Sequence, residues 1–439
     1  MKFILSQKKN SKIFIYYIKK LHKLSREILS FKMNKSEDLI ILYGSQTGNS
    51  QDLSERIWRK AKCFKLTAHL RSFDRFDLNK LNNLKVKLLC VCSTTGQGDL
   101  PDNMTKFWKI IMKKNLPNDS LQNVEFGVIG LGDSSYEKYN FIAKKLYKRF
   151  IQLGATPLLD LCLCDDQQSD GIEATFSKWI NNFWSLMNIN SSLITRSETI
   201  SKYKVEYLNE NQNTEENDLV ETEASSSKPY YAHLVKNDRV THKDHFQDTR
   251  LIEFDYSSTN RIKYEAGDVL LLKPHNLKEN VNKFLEIFSH LKLDLDQKIK
   301  IIPNYANEIE NDLEISEEFI KTIGDLIEKY LDINSVPRFS FFEILSNLAQ
   351  DSMEKEKLEE FLSPEGLEDL YNYCYRPKRK IIEIFHDFPK TSANITSLEI
   401  LLDLVPSIKP RSFSIASSPF VHKSRLQILV AGTINSLLV

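Results

Sequence analysis

Residues 39–50, LIILYGSQTGNS, constrain the fold of this chain more than any other stretch. Four apolar residues, Leu39, Ile40, Ile41 and Leu42, lead through Tyr43 to Gly44 and a small polar loop: Ser45, Gln46, Thr47, Gly48, Asn49 and Ser50. A helical pattern starts at Gln51 and Asp52. Strand, small hydroxylated loop and helix together make a cradle for one anion, because loop amides and the helix N-terminus converge on it. Ser45, Thr47 and Ser50 add hydroxyl donors. The loop holds no Lys or Arg. It also lacks the Gly-Lys-Ser/Thr ending that a nucleoside triphosphate loop needs for its β/γ-phosphates and Mg²⁺. A monophosphate held by neutral donors fits better, and flavin mononucleotide (FMN) carries one. The plain alternative is an ordinary βα turn of small residues.

Residues 37–187 alternate strands with helices. Apolar runs predict strands at 39–43, about 66–70, 86–92, 124–131 and 157–164. Helical spacing predicts helices at 51–62, about 102–112, 140–153 and about 171–187. Five strands alternating with four helices imply a parallel sheet covered on both faces. This is an α/β doubly wound arrangement, flavodoxin-like in the strand order 2-1-3-4-5, whose ligand sits beyond the strand C-termini at the switch point. The polar loops all fall at those ends. The second is Ser93, Thr94, Thr95 and Gly96, continuing to Asp99. The third is Leu131, Gly132, Asp133, Ser134, Ser135, Tyr136, Glu137, Lys138, Tyr139 and Asn140. Asp165, Asp166 and Gln167 follow the fifth strand.

The rest of the chain divides by composition. Residues 1–36 are a basic extension whose apolar run, 13–18, is far too short to span a bilayer. Met33 stands where a natural start would lie; a basic surface helix is the other reading. Residues 188–228 are polar and acidic and read as a linker. From 229 to 439, strands at 230–235, 249–256, 269–273, 376–385 and 413–416 predict an antiparallel β-barrel with a helical insert at about 276–375. The formal net charge of +1 exerts no general pull on nucleic acid. Six cysteines in 439 residues do not make a disulfide scaffold. The pairs Cys90/Cys92 and Cys162/Cys164 share sheet faces and read as buried thiols, a metal site being the sharper alternative.

A second chemical constellation is Arg411, Ser412, Phe413 and Ser414. A flavin dinucleotide (FAD) needs a fixed cation for its pyrophosphate, an aromatic platform for its ring and a hydroxyl donor near ring N5. Arg411, Phe413 and Ser414 supply one each. A plain edge strand explains the same residues. Arg379, in a basic cluster with Arg376, Lys378 and Lys380, offers a further phosphate contact or a solvated strand end.

Taken together, SQTGNS (45–50), STTGQGDLPDN (93–103), LGDSSYEKYN (131–140), DDQ (165–167) and RSFSIASSP (411–419) resemble the diflavin reductases. The likeness is strongest to the branch serving cytosolic iron–sulfur protein assembly, and it covers roughly residues 37–419. The resemblance implies a relay in which NADPH reduces FAD, FAD reduces FMN, and FMN reduces an anamorsin-like iron–sulfur protein in the cytoplasm. It implies that Ser45–Ser50 hold the FMN phosphate. Ser93–Gly96 and Leu131–Asn140 would flank the ring, with Tyr136 or Tyr139 stacking, and Asp166 would lie on a further flavin loop. Arg379 and Arg411–Ser414 would contact FAD. Phe413 stands where many relatives carry Tyr. No side chain is expected to act as a general acid or base.

The sequence ends RLQILVAGTINSLLV, with neither a second FAD loop nor a G-x-G-x-x-G nicotinamide domain after it. The expectation is a C-terminally truncated copy that binds FMN but does not oxidise NADPH alone. The competing reading is an FMN-only carrier or docking module. Asp99, Asp102, Asp133 and Glu137 are either a rim that steers a basic partner or a solvated face.

Overall fold

The strand Leu39–Gly44 (β1) is buried along its whole length and sits at the centre of the first unit. It pairs in parallel with Ala68–Ser72 (β2) on one side and Val86–Ser93 (β3) on the other. Val124–Gly132 (β4) follows β3, and Cys162–Asp165 (β5) pairs with β4. The order β2-β1-β3-β4-β5 is the expected doubly wound one. The computed structural model describes residues 2–6, 39–78, 86–168, 170–187, 200–208, 230–257, 264–265, 267–309 and 321–433.

Alternation along β1 divides the core. Leu39, Ile41 and Tyr43 pack with Leu53, Ile57 and Trp58 of Asn49–Cys63 (α1), and with Phe176 and Phe183 of Glu173–Leu186 (α4). Ile40 and Leu42 face Phe107 of Thr105–Ile111 (α2), and Leu146 and Phe150 of Phe141–Gln152 (α3). Both faces are therefore covered, which is why the strands read as unbroken apolar runs. The C-x-C pairs are buried free thiols, each within one face. Burial pushes the Cys92 thiol up to about 12. The strand expected at 157–164 is instead two short pieces, Thr156–Pro157 and β5. Between them the backbone turns so that the Asp160 carbonyl accepts from Trp179 Nε1 at 2.7 Å.

The second unit combines a barrel with a helical body. Gln247–Asp255 (β8) runs between His233–Arg239 (β7) and Arg425–Thr433 (β12). Val269–Lys273 (β9) pairs with Arg411–Ser414 (β11) and with Lys2–Ser6, all antiparallel. An Ile415–Ile428 bridge joins the two sheets over a core of Phe254, Leu270, Leu426 and Ile428. Of the stretch 1–36 weighed for a surface helix, only Lys2–Ser6 is described, and it is a strand; the rest lies outside the described residues. The helical body includes Lys278–Ile287 (α5), Phe339–Leu348 (α6), Ile381–Asp387 (α7) and Leu398–Leu404 (α8), centred on Phe284, Phe288, Phe341, Phe342 and Phe385. No helix among the described residues is long and apolar enough to cross a membrane.

Residues 376–385 are not a strand, and the helical insert does not end near 375 but continues to Leu404. The run IIEIF has β-branched composition, yet Ile381, Ile384 and Phe385 recur at helical spacing on the aromatic core. Glu383 accepts from the Lys380 amide at 2.7 Å and so starts that helix. Nor is 188–228 linker throughout. Tyr203–Tyr207 (β6) pairs with Ile299–Pro303 (β10), and Tyr203 and Val205 are buried in the helical core.

One face of α1 docks on the second unit. Ser340 donates to Asp52. Lys202 Nζ lies 2.7 Å from Glu55. Arg56 pairs with Glu173 of its own unit at 2.7 Å and with Glu343 across the boundary at 2.9 Å, its guanidinium 4.4 Å from the Phe339 ring centroid. Arg59 lies 3.6 Å from Asp403, and Lys62 2.8 Å from Glu308. These positions recur every three or four residues and form a single stripe. The contact is ionic and largely buried, so it is sensitive to losing any one partner.

Two outcomes follow from this packing. Val205→Ala should lower stability by about 0.5–3 kcal/mol in urea unfolding, whereas a change in a tether would leave the midpoint unmoved. Burial raises the Glu55 carboxyl, but Lys202 and Arg59 outweigh it and hold it at about 2, against an ordinary 4.5. A depressed carboxylate stabilises the folded state above its unfolded value and loses that contribution as pH falls. The stability gap between the native chain and Glu55→Gln should therefore shrink from pH 4.5 toward 2 when unfolding is followed across that range.

Candidate functional site

The strand register brings the polar loops to one edge. Gly44 stands opposite Cys92, Ser93 opposite Leu131, and Gly132 opposite Asp165. The loops that follow these strands therefore leave the sheet side by side.

In the first loop, the Ser45 amide donates to Asn103 Oδ1 at 2.9 Å, and Ser45 Oγ accepts from the Gly48 amide at 3.0 Å. Gln46 and Asp102 pair twice, through Gln46 Nε2 to the Asp102 carboxylate at 2.9 Å and the Asp102 amide to Gln46 Oε1 at 3.0 Å. Gly48 has φ +99°, which a side chain would strain. It precedes α1, whose N-terminus has no side-chain cap. Ser50 Oγ is buried and has no hydrogen-bond partner. An uncapped helix start beside an unpaired hydroxyl is an acceptor-shaped gap. A cleft of about 340 Å³ opens beside Ser45, Gln46 and Gly48, with Arg75, Lys106 and Lys409 on its walls.

The second loop is a tight turn in which the Thr95 amide and hydroxyl both donate to the Asp99 carbonyl, at 3.0 and 3.1 Å. Ser93 Oγ reaches the Gly44 carbonyl at 3.5 Å, tying this loop to the first. Thr94 ties it to the third: its amide donates to the Leu131 carbonyl and its hydroxyl accepts from the Ile142 amide, both at 3.3 Å. Gly96, with φ +48°, lies against Asp99, and the Lys138 stem lies over Gly98.

The third loop is stitched from within. Asp133 Oδ1 accepts from the Ser135 amide and hydroxyl at 2.8 and 2.6 Å, and these bonds hold its pKa low. The Ser134 amide donates to Asp165 at 2.9 Å, and the Asp166 amide donates to the Gly132 carbonyl at 2.9 Å. Burial, then the neighbouring Asp133 and Asp165 charges, raise the Asp166 carboxyl. Asn140 is fully buried at φ +52° and donates to the Cys164 carbonyl at 2.9 Å. A methyl on Gly130 or Gly132 would sit 2.7 or 2.9 Å from Asn140 Oδ1, so both glycines make room for it. Leu131 is in the sheet core, and Glu137 is exposed. Of the two tyrosines considered for stacking, Tyr136 is 61% exposed. The Tyr139 hydroxyl donates to the Leu163 carbonyl at 3.0 Å, and Lys144 lies 4.8 Å from its ring centroid.

In the second unit, Arg411, Ser412 and Ser414 are exposed on β11, while Phe413 is half-buried against the barrel core. Arg379 lies apart from them in the helical body. Its Nε donates to the Tyr373 carbonyl at 3.1 Å, it pairs with Asp387 at 2.6 Å, and it stands 4.5 Å from the Tyr373 ring centroid. It lines a cleft with Lys283, Lys378, Lys380 and His386, and Arg411 is not among the residues lining that cleft.

Sequence reasoning missed two residues at the first loop. Asn103 carried a weak signal, lying within the 93–103 motif. Arg338 carried none. Its guanidinium donates to the Thr47 carbonyl at 2.9 Å and to Asn49 Oδ1 at 3.5 Å from a position some 290 residues away.

Comparison with known proteins agrees with this geometry. Residues 41–179 match the flavodoxin family model, and residues 222–433 match the FAD binding domain model. NADPH-dependent diflavin oxidoreductase 1 of Danio rerio is 43% identical over 407 residues, covering 90% of this chain and 66% of the relative. The Bos taurus protein of the same name is 41% identical over 409 residues, covering 90% and 67%. That of Arabidopsis thaliana is 38% identical over 427 residues, again covering 90% and 67%. The chain thus spans about two-thirds of the length of these relatives. The cofactors of its two units are FMN and FAD. The chain belongs to the NADPH-dependent diflavin oxidoreductase family.

Proposed function

We propose that this chain carries the FAD and FMN steps of a relay that takes electrons from NADPH to an iron–sulfur protein of the anamorsin type in cytosolic iron–sulfur cluster assembly. The observation that carries the proposal is the demand for an acceptor at the start of α1: an uncapped helix N-terminus, a left-handed Gly48 and a buried, unpartnered Ser50 hydroxyl. A phosphate monoester meets that demand in charge and hydrogen bonding. The relatives' printed names support the NADPH and diflavin parts of the reading.

When bound, the flavins supply the electron chemistry, and the protein supplies binding, orientation and electrostatics. On this reading Ser45, Gln46, Thr47, Gly48, Asn49 and Ser50 hold the phosphate. Ser93, Thr94, Thr95 and Gly96 line one side of the ring slot. Gly132, Asp133, Ser134, Ser135 and Tyr136 line the other, with the Tyr136 face as platform. Tyr139 and Asn140 set that loop's shape from below. Asp133, Asp165 and Asp166 place negative charge at its edge. Arg411 binds the FAD pyrophosphate, Phe413 faces the ring, and Ser412 and Ser414 donate from the opposite side of β11. Arg379 contacts phosphate by exchanging its pairing with Asp387.

Denaturing the purified chain and identifying the released chromophores should yield both FMN and FAD. A colourless protein that takes up neither flavin on reconstitution would overturn the reading. Ser50→Ala should weaken FMN binding by roughly tenfold or more in a fluorescence titration, because a hydrogen bond to a charged group is worth ~1.5–3 kcal/mol. Its urea midpoint should hold or rise, since the substitution removes a buried polar atom that has no partner in the chain.

A further inference from the structure

The phosphate loop contains no cation of its own, and the structure brings one to it from the other unit. Arg338 immediately precedes α6. Its guanidinium meets the Thr47 carbonyl and Asn49 Oδ1 and closes over Gly48, where an added methyl would lie 2.5 Å from Arg338 Nη2. The next two residues grip α1 itself: Phe339 lies under the Arg56 guanidinium, and Ser340 donates to Asp52. Residues 338–340 thus touch both the loop and the docking stripe. Undocking would withdraw the Arg338 charge from the loop and leave its neutral donors with Arg75 and Lys106 on the cleft wall of the same unit.

We propose that Arg338 links flavin phosphate binding and docking of the two units into one equilibrium. The docked form presents a guanidinium to a dianionic ligand, and the undocked form does not. A ligand that binds one of two forms more tightly shifts the population toward that form, and the coupling is reciprocal. FMN then acts as an electrostatic staple between the units as well as a cofactor. The proposal rests on FMN occupying the α1 cradle, and it concerns the phosphate alone. Riboflavin, which has the same ring without the phosphate, is therefore the discriminating probe.

The test uses the full flavin-stripped chain, titrated with FMN and with riboflavin, in native, Arg338→Ala and Arg338→Lys forms. Docking is read by hydrogen–deuterium exchange over 51–62 and 339–347. FMN affinity should fall about 5–150-fold in Arg338→Ala, the usual range for coupling between sites, and less in Arg338→Lys. Riboflavin affinity should be unchanged. FMN should protect both segments in the native chain, riboflavin should not, and Arg338→Ala should abolish the protection. Equal loss for both flavins would show a distorted loop and overturn the proposal, as would unchanged FMN affinity. If Arg338→Ala does not fold, the native chain still decides, because equal protection by FMN and riboflavin would also overturn it. Failure of the native chain to bind either flavin would instead overturn the FMN assignment beneath it.

Discussion

The first turn of α1 presents amides that no side chain caps, beside a serine hydroxyl that no protein atom accepts or supplies. Such groups are expensive to leave unsatisfied in a packed environment. The surrounding architecture holds this turn in place. β1 is buried on both faces, so it fixes the loop that follows it, and α1 is anchored over the sheet by Leu53, Ile57 and Trp58. The other polar loops then find their positions by strand register, with Ser93 and Thr94 bonding to their neighbours on each side. The site is a property of the sheet edge, and no single loop could produce it.

The same helix joins the two halves of the molecule. Its sheet-facing side is apolar and permanent. Its opposite side is a ladder of Asp52, Glu55, Arg56, Arg59 and Lys62, each with a partner across the boundary. An apolar junction of that size would resemble an extension of the core. An ionic one has a high cost for mispairing and little intrinsic gain over solvated charges. That balance suits a junction which must be specific without being permanent.

How much of this was legible in sequence depended on the range of the interaction. The βα alternation, the strand order and the loops at 45–50, 93–96 and 131–140 follow from local periodicity and turn chemistry, and the strand pairing agrees with them. Tyr203–Tyr207 escaped because its strand partner lies about a hundred residues away and its neighbours are strongly polar. Residues 381–387 misled because β-branched composition is a weak prior that an aromatic helical core overrides. Arg379 read as a free basic residue, although Asp387, eight positions on, holds it. Arg338 was invisible, since nothing in a lone Pro-Arg-Phe-Ser records that it will meet Thr47.

Asn140 is the keystone of the third loop. It is locked in a left-handed conformation and wedged where Gly130 and Gly132 leave room for nothing larger, so the base of the loop has essentially one shape. The residues at its tip, Tyr136, Glu137 and Lys138, carry little of that burden. A chain built this way can exchange the chemistry of its outward edge, and with it the surfaces that edge fits, while the frame underneath stays the same.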